Sequence, residues 1–284
     1  MITDQETNLV YFSELLKTTE KYSQTCNSII AILDKYQIKS AFLKDTKDIW
    51  ARDYMPIQTD INSFVQFRYE PTYLKNDLHL QSNPKEVCKS NDFTPVYIDE
   101  INLDGGNIIK WHDKVILTDR VFSENPQYTD RKKLITDIEK ELKAEVFIIP
   151  QIKSDMTGHA DGLVRFYDEK TLIGNNLNDE YKYWRNAMKK FIQHFGFKYI
   201  NMPVFDYKAQ YKDKSMSAIG CYMNYLEIGN LIVFPVFELE GNKDAEALNI
   251  ISDLYPKKTI ERININEIAF KGGLMNCISW NIKI

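Results

Sequence analysis

The sequence predicts a mixed α/β fold, and three observations carry that reading. Apolar, β-branched and aromatic runs of strand length recur from Lys39–Leu43 to residues 259–265. Segments with helical spacing of apolar residues lie between several of them. No Pro/Gly/Ser-rich linker or low-complexity tract interrupts the 284 residues, so the pattern is read as one domain spanning 1–284.

Taken in order, residues 9–35 have helical spacing and read as a helix, and Lys39–Leu43 reads as a short strand. Strand-like runs follow at 63–69, 95–98, 115–118, 146–150, 163–167, Leu231–Val236 and 259–265. Helical stretches are expected at 130–143, 180–195 and 243–254. The last of these follows a Gly-Asn turn and stops before Pro256. Aromatic residues reach 13%, which argues for a packed interior and against disorder.

Charge and composition exclude several functions. The net charge of −4 comes without a long basic run, so nucleic acid is not an expected partner. Neither GxGxxG nor GxxxxGK[ST] occurs, which weakens nucleotide-binding readings. Cys26, Cys88, Cys221 and Cys277 form no CxxC pair and no zinc-like cluster with the four histidines, so no metal site is expected. No apolar run is long enough for a membrane span, and the start MITDQETNLVYF lacks the pattern of a secretion signal. The expected compartment is the cytoplasm, with reduced thiols, and a homodimer is the base-rate expectation for assembly.

Four short segments concentrate polar chemistry. The first, Ile49-Trp50-Ala51-Arg52-Asp53-Tyr54-Met55-Pro56, sets a charged pair between aromatic residues; a surface Arg–Asp turn explains it equally well. The second, Leu103-Asp104-Gly105-Gly106-Asn107, has two glycines that permit a tight turn or close approach to a ligand; alone it reads as a simple turn. In the third, Gly158-His159-Ala160-Asp161-Gly162, an extended backbone would point His159 and Asp161 the same way. A carboxylate there could grip a cation while the imidazole moves protons; a structural histidine is the plainer alternative. The fourth, Lys271-Gly272-Gly273-Leu274-Met275-Asn276-Cys277-Ile278-Ser279-Trp280, sets a cysteine just after a Gly-Gly turn. A buried, inert thiol is the ordinary role of a free cysteine, and it suits Cys26, Cys88 and Cys221 better than Cys277.

This order of Asp, Gly-Gly loop, His-x-Asp and C-terminal Cys resembles the agmatine deiminase and bacterial (Porphyromonas-type) peptidylarginine deiminase family of guanidino-group-modifying enzymes. The likeness runs from Trp50 to Cys277 and includes the stretch SAIGCYMNYLEIGN at 217–230. It implies a pentein fold, a five-bladed β/α propeller with pseudo-fivefold symmetry and the substrate in its central channel. It implies Cys277 as nucleophile, His159 as general acid and base, and Asp53 and Asp161 as the holders of the guanidinium. Asp104 stands where the family usually has a Glu that supports the histidine. Trp50 is expected beside the substrate, and Arg52, Arg68 and Arg165 are candidates by charge for the carboxylate of free arginine. The implied partner is a small cationic guanidino compound, with no metal or organic cofactor.

The implied chemistry suits these residue types. A guanidinium is planar and resonance-stabilised, and two carboxylates can fix its plane for attack by a thiolate. The expected reaction is deimination to a ureido product plus ammonia through a Cys277 amidino-thioether. An amidinotransferase would share that intermediate, and a non-catalytic guanidinium-binding protein would share the clamp. A Cys–His peptidase lacks a local signature here. The family usually reads Gly-Gly-Gly-x-His-Cys-Ile-Thr at the nucleophile. Leu274, Asn276 and Ser279 depart from it, as do Asp104 and the segment 64–74.

Overall fold

The computed structural model describes residues 1–207 and 217–284. Fifteen strands among them form five three-stranded sheets. They are β1 (Leu9–Ser13), β2 (Lys39–Leu43), β3 (Ile57–Asp60), β4 (Ser63–Arg68), β5 (Val96–Asn102), β6 (Ile109–Trp111), β7 (Lys114–Thr118) and β8 (Glu145–Ile149). The rest are β9 (Val164–Asp168), β10 (Thr171–Asn175), β11 (Lys198–Met202), β12 (Leu226–Ile228), β13 (Leu231–Val236), β14 (Thr259–Asn264) and β15 (Ser279–Ile282).

Every sheet has one plan. A central strand pairs antiparallel with one neighbour and parallel with the other, as in β3-β4-β5, β6-β7-β8, β9-β10-β11 and β12-β13-β14. The remaining sheet, β15-β1-β2, follows the same plan by pairing the two ends of the chain, Leu9 opposite Ile282. Parallel pairs need a crossover, and helices supply it. Helices α1 (Glu14–Thr18) and α2 (Glu20–Lys35) cross from β1 to β2, and α3 (Ala51–Tyr54) is a single turn before β3. Helix α4 (Pro84–Ser90) joins β4 to β5, and α5 (Arg120–Glu124) with α6 (Arg131–Leu142) joins β7 to β8. Helix α7 (Lys182–Phe195) joins β10 to β11, and α8 (Asp244–Leu254) joins β13 to β14. Two short helices, α9 (Asn266–Ala269) and α10 (Met275–Ile278), lead into β15.

The helices form for local reasons. Asp130 caps α6 by accepting from the Lys132 N–H, and Leu134, Ile138 and Leu142 make its buried stripe at four-residue spacing. Trp184, Met188 and Phe191 make the buried stripe of α7 at spacings of four and three, and the helix ends at Gly196 with φ of 72°. All three expected helices from 130 onward are present, with ends moved by a residue or two. Residues 9–35 need correction. Leu9–Ser13 is strand β1, and Ser13 begins α1 by accepting from the Leu15 N–H. Both faces of β1 are buried, so its apolar run has no alternation to separate it from the helical stripe that follows.

All six residues of β13 are buried. The largest apolar cluster surrounds this strand and gathers Phe12, Tyr222, Tyr225 and Phe234. Among the described residues, no helix is long and apolar enough to cross a membrane.

The closing strand is anchored by Trp280, which is 2% exposed. Its indole N–H donates to the Pro56 carbonyl at 2.7 Å, and its ring packs on Tyr11, Phe64 and Phe93. Trp280→Ala is expected to destabilise the fold by about 3–5 kcal/mol. Urea unfolding should show a lower midpoint at unchanged slope.

Candidate active site

The polar segments occupy equivalent places in the topology. Each lies on a connection that leads from the third strand of one sheet to the next sheet. Asp53 is on α3, between β2 and β3, and Asp104 follows β5. His159 and Asp161 lie between β8 and β9, and Cys277 is on α10 before β15. The connection from β11 to β12 brings Asn224 to the same place. Asp53, His159, Asp161, Asn224 and Cys277 line one cavity of about 570 Å³, with Asp104 behind His159. Another cavity, of about 600 Å³, lies over β4 and β5, but its wall holds neither a cysteine nor a histidine.

Glycines permit this convergence. The Gly106 N–H donates to Asp53 Oδ1 at 3.2 Å, and the Gly106 carbonyl accepts from the Asp161 N–H at 3.2 Å. A Cβ on Gly106 would lie 2.5 Å from both Asp53 Oδ1 and His159 Nδ1. On Gly273 it would lie 2.4 Å from the Trp50 ring and 3.0 Å from Cys277 Cβ. These glycines are needed for close approach between chain segments.

His159 Nε2 is 2.9 Å from Asp104 Oδ2, and Nδ1 is 3.6 Å from Asp53 Oδ1. The Tyr73 hydroxyl donates to the same Asp104 oxygen at 3.0 Å. Cys277 Sγ makes no hydrogen bond to His159. It donates to Asp161 Oδ2 at 3.4 Å and accepts from Asn224 Nδ2 at 3.1 Å. Asn276 Nδ2 also donates to Asp161 Oδ2, at 2.8 Å.

These contacts set the protonation states. Burial alone would push the imidazolium pKa down, but Asp53, Asp104 and Asp161 outweigh it and raise His159 to about 10. At neutral pH the ring is therefore a cation among carboxylates. Burial pushes the Cys277 thiol well up, and Asp161 and Asp53 push it further. Burial also raises Asp53; His159 opposes this, while Asp104, Asp161 and Asp48 add to it. The resting site thus holds a neutral thiol and an imidazolium among acidic groups, of which Asp53 is itself pushed toward its protonated form. A planar cation entering between Asp53 and Asp161 would favour the ionised carboxyl and the thiolate.

Asp53, His159, Asp161, Cys277 and Trp50 all come together at the cavity, and Asp104 supports the histidine. Two expectations need correction. Arg165 stays outside, buried on β9, where its guanidinium pairs with Asp4 at 2.7 Å and donates to the Tyr225 carbonyl. A cation neutralised by Asp4 is not free for a substrate. His159 lies in an irregular loop and Asp161 in the turn that follows it, with strand pairing beginning at Val164. The two side chains reach one cavity through that loop and turn and not through strand alternation. Asn224 was not anticipated; an Asn inside an apolar, aromatic stretch, Tyr222-Met223-Asn224-Tyr225, was the available signal. Cys221 also lines the cavity, although its sequence suggested an ordinary buried thiol. Among the described residues, no group of three or more His, Cys, Asp or Glu is placed to hold a metal ion.

The sequence model of the Porphyromonas-type peptidyl-arginine deiminase family matches residues 2–282. The chain is 34% identical over 71 residues to the agmatine deiminase of Pseudomonas aeruginosa and 36% identical over 61 residues to a second curated relative, from Listeria monocytogenes. Those segments are 25% and 22% of this chain, and only 19% and 16% of the relatives' lengths. The fold is similar over nearly the whole chain to C. jejuni agmatine deiminase, with a TM-score of 0.77 at 16% identity, covering 99% of this chain and 95% of that one. DDAH from Pseudomonas aeruginosa is similar at a TM-score of 0.62 and 10% identity, covering 97% of this chain and 99% of that one.

The raised His159 pKa can be measured directly. NMR titration, assigned against His159→Gln, should find this ring protonated at pH 8. Asp104→Asn removes a charge-assisted hydrogen bond and should lower the midpoint by roughly one to two pH units. An unmoved midpoint would show that Asp104 does not hold the charge.

Proposed function

The chain belongs to the Porphyromonas-type peptidyl-arginine deiminase family, and on that premise we propose that it hydrolyses a cationic guanidino compound to its ureido product and ammonia. The observation that carries this reading is the set of Cys277, His159, Asp53 and Asp161 around one acidic cavity. Eight carboxylate residues and one lysine, Lys271, line its described wall. Such a wall attracts and desolvates a cation. On this reading the five sheets are the blades of a β/α propeller, and the β15–β1 pairing closes it.

Asp53 and Asp161 bind the guanidinium nitrogens and hold its plane. The cation replaces the Sγ–H contact to Asp161, and the thiol proton leaves to water. The thiolate adds to the guanidinium carbon. His159, protonated at rest, gives its proton to the departing nitrogen, and ammonia is released. The neutral imidazole then takes a proton from a water that attacks the amidino-thioether. Collapse of that adduct expels the thiolate, the hydroxyl proton leaving to water, and gives the ureido C=O. The separation of Cys277 from His159 agrees with this sequence. A Cys–His peptidase would instead need the imidazole on the sulfur at rest.

The test is ammonia and ureido-product formation from agmatine, free arginine and a peptidyl arginine, without added amine. Turnover of at least one of them is expected, with Cys277→Ser reducing it on the order of a thousandfold or more. Formation of a new guanidino compound and of the donor's free amine, only when an acceptor amine is supplied and without ammonia, would point to amidino transfer. No turnover combined with no labelling of Cys277 by a haloacetamidine would sink the nucleophile assignment.

A further inference from the structure

We propose that the second cavity, over β4 and β5, is an effector site for a small monocarboxylate that also carries a hydrogen-bond donor. Its volume of about 600 Å³ lies within the range of small-molecule pockets. Among the described residues, four buried side-chain atoms lack a hydrogen-bond partner. Two of them, Gln66 Oε1 and Arg68 Nε, belong to the wall of this cavity. Their residues are two apart on β4, a spacing that sends both side chains to one face. Gln66 is 4% exposed. Its Nε2 donates to the Phe67 carbonyl at 2.7 Å. The flipped amide would set two oxygens together, so Oε1 is the unpaired atom. A buried acceptor without a partner is costly, and a ligand N–H or O–H would remove that cost.

The charges define the rest of the ligand. Arg68 Nε stands 3.5 Å from a Glu70 carboxylate oxygen without a hydrogen bond. Lys47 forms no ion pair among the described residues, whereas Lys85 is engaged by Asp99 at 2.7 Å. Lys47 and Arg68 therefore suit an anion. Glu70 and Asp99 on the same wall disfavour a dianion such as a phosphate monoester. The site is coupled to the Cys277 cavity because Tyr69 lines both. The Tyr69 hydroxyl interacts with that of Tyr73, which donates to Asp104, the partner of His159. The segment after Tyr69 is a partition. Leu74, Asp77 and Leu80 line the Cys277 cavity, and Leu78, Gln81 and Ser82 line the other. Neither binding nor coupling depends on the deiminase reading.

The probe is hippurate, which offers one amide N–H, one carboxylate and a ring, followed by backbone-amide and histidine-ring NMR. Saturable shifts are expected at residues 66–70 and 97–99, with movement of the His159 ring signals. Hippurate methyl ester lacks the charge and N-methylhippurate lacks the donor; each should bind at least about tenfold more weakly. Gln66→Leu should abolish the difference between hippurate and N-methylhippurate, and Lys47→Ala should narrow that between hippurate and its ester. No saturable binding of hippurate, or equal binding of N-methylhippurate to the unaltered protein, would overturn the site, and neither result needs a variant that folds. Binding that leaves the His159 signals unmoved would overturn the effector role. Absence of turnover would count against the deiminase reading alone.

Discussion

A concentration of buried acidic groups around a single imidazole governs this molecule. Asp53, Asp104 and Asp161 are each less than a tenth exposed, and His159 lies among them. Buried carboxylates are costly without partners. One imidazolium bonded to Asp104 and facing Asp53 offsets part of that cost, which is why its pKa rises despite burial. Burial keeps the thiol protonated, and Asp161 and Asp53 add to that effect. A guanidinium is suited to such a site, because its charge is delocalised over a plane that two carboxylates can hold at its edges. The feature that would bind the substrate would also ionise the nucleophile, so reactivity would be tied to occupancy.

The surrounding fold keeps the opposite charge behind the site. Asp4 receives Arg165 at 2.7 Å and Lys110 at 3.6 Å. Burial opposes its ionisation, but Lys110, Arg52 and Arg165 hold its pKa down at about 2. Arg52, one residue before Asp53, turns into this cluster and bonds the carbonyl of Asn276, one residue before Cys277. Neighbouring residues on one short helix thus point to opposite sides, the cation backward and the carboxylate into the cavity. That arrangement requires α3, α10 and the Gly105–Gly106 turn to touch. The absence of side chains at those glycines is what allows it.

Much of this was legible from residue order. Asp53, His159, Asp161 and Cys277 were recognisable because their motifs carry glycines and charges that ordinary strands and helices do not need. Asn224 was not, because its meaning comes from a contact with a residue 53 positions away. Arg165 misled for the same reason: charge is visible in sequence, but its neutralisation by Asp4, 161 positions away, is not. In the fold, α6, α7 and α8 were readable from their buried stripes. Strands β3, β6, β12 and β15 were missed, since three or four residues cannot display alternation, and the five-residue β10 and β11 were missed as well.

The departures from the family pattern become intelligible at this level. Leu274 replaces a glycine at φ of −136°, an extended conformation open to any residue, and its side chain is fully buried. Ser279 retains a hydroxyl, which donates to the Asn276 carbonyl at 3.2 Å. Asp104 is one methylene shorter than Glu, yet it meets His159 at 2.9 Å because the adjoining glycines bring its turn against the Arg52–Asp53 backbone. Asn276 in place of His is the change with chemical consequence. Its amide donates to Asp161 at 2.8 Å and has no proton to gain or lose near neutral pH. An imidazole there could carry a further positive charge toward Asp161; an amide cannot. The carboxylate proposed to receive the guanidinium is thus oriented without being neutralised, which leaves the demand for a cation to the substrate.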